Sequence, residues 1–349
     1  MTLEQVLDKY DRATEFYLHE RKAQGKSPYT LKNYGESLRY FRDFFVRIHD
    51  GEEEVKDPGY LDFQKWRDEM LGNGMAVLST VRHFNDMHSF YSFVTGEEFS
   101  DLGFYDRNPI SRKLYPSDRW AMKRPYEQIL TDEQVSLLWK YTPNKLNGTG
   151  GARYSARNYA IVVVLLSTEI RNAELLDLKL SDLDFEYEEI QIWKGKGNKY
   201  RCVDFPKIAQ TAVKLYLQSG VRPEWATDDD YLFGTSREKA KGAIKDIEGT
   251  WHKGSSRWLS DVVKRHVKKV TGVDNVTSHD LRHVGSRLDL HNGMETVELQ
   301  AKLGHSEFQT TQIYCGKLGT KRKRISAREA YRERDAQTER NLELLEAMS

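Results

Sequence analysis

The sequence predicts a mainly α-helical chain with one small antiparallel β-sheet, divided into two domains. Three observations carry that expectation. At 349 residues and 40.7 kDa, the chain exceeds what one hydrophobic core usually organises, since cores stop growing near about 250–300 residues. Apolar residues recur at three- and four-residue steps over most of its length, which is the helical period. Three of the eight prolines (Pro109, Pro116 and Pro125) crowd into a basic segment, 107–126, which reads as a linker between domains 1–106 and 127–316.

The first domain reads as four helices. Leu3, Val6, Leu7, Tyr10, Phe16 and Tyr17 make one apolar stripe, ended by Gly25. Ser27-Pro28 supplies an N-cap and a first-turn proline for the next, which carries Leu31, Tyr34, Leu38, Phe41, Phe44 and Phe45. A third fits Leu61–Leu71, stopped by Gly72-Asn73-Gly74, and a fourth fits Val77–Val94. In the second domain Thr131-x-x-Gln134 is a capping box. Ala156–Leu166 is apolar all round, the signature of a buried helix. Leu183–Phe185, Glu189–Trp193 and Tyr200–Phe205 read as strands, the last two joined by the glycine-containing hairpin 194–199. From Lys207 onward the pattern is helical again: 208–218, 257–270, 278–291, 295–303 and 307–315.

Composition excludes several classes. A mean hydropathy of -0.72 and a longest apolar run of only Ala160–Leu166 predict no membrane span, which needs about 20 residues. Two cysteines rule out a disulfide framework and predict a reducing cytoplasm. Met1 leads into Thr2-Leu3-Glu4-Gln5, without the basic and apolar regions of a secretory signal. Net charge is +1, yet the charge is uneven. Gln191–Lys207 holds five basic residues against one acid, and Trp251–Arg287 holds eight against three. Solvated faces explain any one such run; their concentration in one half of the chain points to a polyanion.

The candidate chemistry begins at His279-Asp280-Leu281-Arg282-His283. On a helix, His279 and Arg282 share a face, where an imidazole beside a guanidinium fork suits a phosphate. Three readings compete: phosphate binding, a structural histidine, and a zinc site built on the His279/His283 i,i+4 pair. Upstream, Arg171 with Glu174 is by itself an ordinary helix-start ion pair, and Lys196 in a glycine hairpin an ordinary turn. Downstream, Tyr314 follows His305 by nine residues.

Taken together, Arg171-x-x-Glu174-Leu175, Gly195-Lys196-Gly197-Asn198-Lys199, His279-x-Leu281-Arg282-His283 and Leu303-Gly304-His305-Ser306 through Tyr314 resemble, in order and spacing, the tyrosine recombinase (phage integrase) family. The N-terminal helices resemble that family's core-binding, SAM-like domain. The resemblance implies a C-terminal α+β catalytic domain with Tyr314 as nucleophile. Arg171, Arg282 and His305 would sit on the scissile phosphate, His279 would assist proton transfer, Lys196 would serve as general acid and Glu174 would hold the site together. It implies no metal and no cofactor. The implied partners are double-stranded DNA with an inverted-repeat site, a tetramer spanning two sites, and an accessory directionality factor. A type IB topoisomerase-like enzyme and a non-catalytic DNA-binding regulator are the alternatives. Glu169, where the family usually has glycine, Val284-Gly285-Ser286-Arg287 and Cys315-Gly316 depart from the pattern and argue against a housekeeping Xer recombinase. The tail, 317–349, has sparse apolar residues in a helix-forming composition, which predicts a helix that must dock on something; the resemblance implies that its partner is a neighbouring subunit.

Overall fold

Capping and apolar spacing place the first four helices where the sequence predicts them. These are α1 (Leu3–Ala23), α2 (Pro28–Ile48), α3 (Tyr60–Gly72) and α4 (Val77–Val94). Thr2 and Ser27 accept the N3 amides of α1 and α2, satisfying donors that a helix start leaves unpaired. The computed structural model describes residues 1–116, 129–143, 154–193, 200–235, 237–240, 243–246, 251–304 and 321–348. They fall into two compact units, Met1–Arg124 and Pro125–Ser349. The core of the first is aromatic. Phe41 stacks on Phe63 at 4.2 Å, Trp66 meets Phe41 edge-on, and Tyr17 and Tyr91 pack on Phe90. The start of the expected linker is not free chain: Ile110 and Leu114 are buried in this same core, and Arg67 donates to the Leu114 carbonyl.

The second unit is built around α6 (Ser155–Thr168), whose run from Tyr159 to Leu166 is wholly buried. Around it lie α5 (Asp132–Lys140), α8 (Lys207–Gln218), α9 (Ser256–Thr271) and α10 (Ser278–Asn292). The short α7 (Asn172–Asp177) follows α6. A three-stranded antiparallel sheet, β1 (Leu183–Asp184), β2 (Glu189–Ile192) and β3 (Arg201–Asp204), pairs Ile190 with Val203 and buries both. One expectation is corrected here. The chain after Lys207 is not all helical, because four short strands intervene: β4 (Gly234–Thr235) with β7 (His252–Lys253), and β5 (Arg237–Ala240) with β6 (Ala243–Asp246). The β5–β6 segment is polar and lysine-rich, without the β-branched alternation that marks a strand in sequence. Then follow α11 (Thr296–Leu303) and α12 (Lys321–Glu346). The expected helix at 307–315 and the hairpin at 194–199 lie outside the described residues. Among the described residues, no helix is long and apolar enough to cross a membrane.

The tail helix α12 packs in cis against α5, α8 and α10 of its own unit, a contact that the expectation of docking on a neighbouring subunit did not include. Ala327 and Ala330 are fully buried. So are Gln337 and Asn341, and the Asn341 amide donates to Tyr159 Oη and Thr211 Oγ1. The apolar residues of α12 are sparse because part of this contact is made by the Gln337 and Asn341 amides, which are buried at little cost once hydrogen-bonded. The tail is therefore part of the fold. Deleting residues 321–349 should lower the Tm of the catalytic unit by about 10 °C or more, at roughly 2–4 °C per kcal/mol for a unit of this size. A truncated chain that melts where the full chain does would contradict that role.

Candidate active site

The turn between α6 and α7 sets the first half of the site. Glu169 ends α6 in the left-handed conformation, with φ of 56°. This reverses the chain and brings Arg171 to the N-cap of α7. The Glu174 carboxylate folds back on that cap, accepting from the Arg171 backbone N–H at 2.7 Å and from its guanidinium at 3.0 Å. From β3, Arg201 grips both Glu174 oxygens at 2.7 and 2.8 Å, a bidentate geometry that fixes both partners. Burial works to raise Glu174, but the Arg201 hydrogen bonds and the Arg171 amide outweigh it and hold the carboxyl at about 2. Sequence reasoning counted Arg201 only among the basic residues after the hairpin. Its role could not be read there, since β3 meets Glu174 only in the folded unit.

Helix α10 supplies the second half. Thr277 and Asp280 form its capping box, so His279 sits in the first turn, where backbone N–H groups favour an anion. One turn on, Arg282 is only 3% exposed. Its guanidinium donates to the Glu169 carbonyl and, at 2.6 Å, to the Leu303 carbonyl. Arg171 reaches the next carbonyl, Gly304, at 3.1 Å. Two arginines 111 positions apart in the sequence therefore converge on consecutive backbone carbonyls at the end of α11. Gly304 closes that helix with φ of 61°. A Cβ there would press on the Arg201 side chain at 3.1 Å, so glycine serves both the turn and the close approach. His279 and His283 are joined Nε2 to Nε2 at 2.8 Å, one donating and one accepting, which spends on each other the nitrogens that a metal pair would present. Among the described residues, no group of three or more His, Cys, Asp or Glu is arranged to hold a metal. Partial desolvation, then the Arg282 and Arg171 cations, hold His279 below its ordinary value, so it is neutral at neutral pH. Behind the arginines lies a buried polar cluster. Lys302 donates to the Ser167 carbonyl at 3.1 Å, to the Glu169 carboxyl at 2.8 Å and to the Asp289 carboxylate. Ser286 donates to Glu169 at 2.8 Å. Burial and the neighbouring Asp289 carboxylate push Glu169 up to about 8.

Of the residues expected to act, Arg171, Glu174, His279 and Arg282 are thus brought together. Lys196, His305 and Tyr314 lie outside the described residues, although the chain leading into His305 is held by both arginines. Against families of known proteins, residues 128–319 match the phage integrase family. The chain belongs to that family. It is a tyrosine recombinase, an enzyme that cuts and rejoins DNA. Among relatives it is 28% identical to tyrosine recombinase XerC of Staphylococcus epidermidis over 87% of this chain and 92% of that protein. It is 37% identical to XerC of Corynebacterium glutamicum over 86% and 85%. The fold is that of a recombinase: the XerH site-specific recombinase in its post-cleavage complex with a palindromic difH substrate superposes with a TM-score of 0.61, at 21% identity, over 85% of this chain and 79% of that one. A lambda integrase fragment superposes at 0.56, with 14% identity, over 90% and 95%. The departures at Glu169 and 284–287, which argued against the Xer group, coexist with similarity to Xer recombinases. Glu169, Gly285 and Ser286 lie together beneath the arginines, whereas Val284 joins the apolar core and Arg287 pairs with Asp132; Cys315-Gly316 lies outside the described residues.

Proposed function

We propose that this recombinase acts site-specifically on double-stranded DNA through Tyr314. The tyrosine hydroxyl attacks a backbone phosphorus, giving a 3′-phosphotyrosine, and the leaving 5′-oxygen takes a proton from Lys196. Attack by the 5′-hydroxyl of a partner strand breaks the phosphotyrosine bond and restores the free tyrosine. Arg171, Arg282 and His305 stabilise the charge that gathers on the non-bridging oxygens. His279 assists proton transfer at the phosphate, and Glu174 aligns Arg171 with Arg201. The observation that carries this reading is the convergence of Arg171 and Arg282 on the Leu303 and Gly304 carbonyls, directly before His305. The site would be an inverted repeat, with four protomers joining two such sites and an accessory factor setting direction. We take the task to be integration and excision of a mobile element within a reducing cytoplasm. Similarity of fold to the Tn1549 transposon integrase in complex with circular intermediate DNA, at a TM-score of 0.57, supports that assignment.

The test uses a randomised pool of nicked duplexes. Loss of the short strand beyond the nick should trap the covalent intermediate, and sequencing the trapped DNA reads out the site. Trapping should persist in excess EDTA, since the cations are arginine and lysine side chains. Dependence on a divalent ion, or trapping with no sequence preference together with relaxation of supercoiled DNA, would replace this reading with a metal-dependent or topoisomerase-like one.

A further inference from the structure

We propose that Glu169 and Lys302 are positioning residues for the Arg282 guanidinium, holding together the two backbone turns that it bridges. The inference rests on the reading of Arg282 as a phosphate ligand. Arg282 spans the carbonyl of Glu169, at the end of α6, and that of Leu303, at the end of α11. Lys302 ties the same two turns: it sits next to Leu303, and its ammonium donates to the Ser167 carbonyl and the Glu169 carboxyl. Its third donor goes to Asp289 of α10, two turns beyond Arg282 on the same helix. One ammonium thus fastens three segments around one guanidinium. Burial works against the charge, but the acidic groups of Glu169 and Asp289 outweigh it and raise Lys302 above its ordinary value, so it stays charged.

The backbone at Glu169 supports the same reading. A non-glycine residue in the left-handed region costs about 1 kcal/mol or more and persists when its surroundings over-determine it. Here the side chain is fully buried and held at both ends, by Lys302 and by Ser286, so the carbonyl stays directed at Arg282. Space for it exists because position 285 is glycine. A Cβ there would lie 2.3 Å from the Leu166 carbonyl and 2.9 Å from Glu169 Cγ. Stability alone does not account for such a cluster, because well-packed apolar side chains fill a buried site at equal or lower free energy.

Three variants and two readouts test this. Lys302→Met and Glu169→Ala each cut one tie. Glu169→Gln keeps the neutral shape and the hydrogen bonds of a protonated carboxyl. At saturating protein, on a nicked duplex recovered from the pool and well below each Tm, Lys302→Met and Glu169→Ala should form adduct about 100-fold more slowly, the effect of small misplacement of a reacting group. Their affinity for the duplex should stay within about twofold, so that the loss lies in the chemical step. Glu169→Gln should stay within about threefold of wild type in rate. Should Lys302→Met fail to fold, the charge-free triple variant Glu169→Gln/Asp289→Asn/Lys302→Met leaves no unpaired buried charge and should show the same slow step. Wild-type rates in Lys302→Met or the triple variant overturn the proposal, as does a rate loss that only follows the folded fraction. The second readout needs no DNA. In protein labelled with 15N-arginine, the Arg282 guanidinium signals, assigned by their loss in Arg282→Lys, should be resolved in wild type and Glu169→Gln. They should be exchange-averaged in Lys302→Met and the triple variant. If wild type traps no DNA, the Tyr314 reading falls and these signals decide the positioning claim; resolved signals in every variant reject it.

Discussion

Tyr314→Phe should bind duplex DNA like the wild type and form no covalent adduct, the largest effect expected of any single substitution. In the proposed reaction the phenolic oxygen is the bond-forming atom, and phenylalanine offers no oxygen in its place; loss of a nucleophile costs many orders of magnitude where the chemistry is covalent. The one nearby rival by sequence order is Tyr331, and the fold argues against it. Its hydroxyl donates to Asp289, and burial together with that carboxylate raises it well above its ordinary value. It sits on α12 within the packed face of the catalytic unit. Tyr331→Phe should therefore still yield adduct. Denaturing gels of trapped DNA from the two variants, beside a binding titration of each, decide the matter. Adduct surviving in Tyr314→Phe would remove the assignment.

Glu174→Ala should be nearly as damaging, by a different route. The carboxylate is 2% exposed and pairs with both Arg171 and Arg201. Removing it leaves two guanidinium groups facing each other with no counter-charge, a change that costs about 3–5 kcal/mol when one partner of a buried pair is deleted. The arginine expected to meet the phosphate loses its alignment at the same time, so adduct formation should fall even where the variant stays folded. The pH dependence carries a sign. Glu174 lies at about 2 in the folded chain, below the ordinary value of 4.5. Its contribution is therefore present in full above about pH 4.5 and disappears as pH falls toward about 2. Over that window the wild type should lose about 3 kcal/mol that Glu174→Ala does not lose. Chemical denaturation of both proteins at stepped pH measures the gap, and a gap unchanged down to pH 2 would contradict the pairing.

The sequence by itself determined most of the element order and half of the site's logic. Helices α1–α6 and α10 announce themselves because their caps and apolar spacing are local properties: Ser27-Pro28 starts α2 and the Thr131/Gln134 box starts α5 whatever they later pack against. The pairing of Arg171 with Glu174 was legible for the same reason, being three residues apart at a helix start. What only the tertiary structure decided is everything that depends on distant chain meeting. Arg201 on Glu174, Arg282 on the Glu169 and Leu303 carbonyls, and Lys302 between two acids join residues 13 to 133 positions apart, and no periodicity encodes such partners. Glu169 shows the limit most plainly. In sequence it is a misfit at a turn; in the fold its left-handed backbone is offset by a glycine on α10 and a lysine on α11. The tail's packing within its own unit was hidden for a related reason. Hydropathy scores Gln337 and Asn341 as solvent-facing, whereas a buried amide with its hydrogen bonds made is as much part of a core as leucine, and only the neighbours it meets decide which it is.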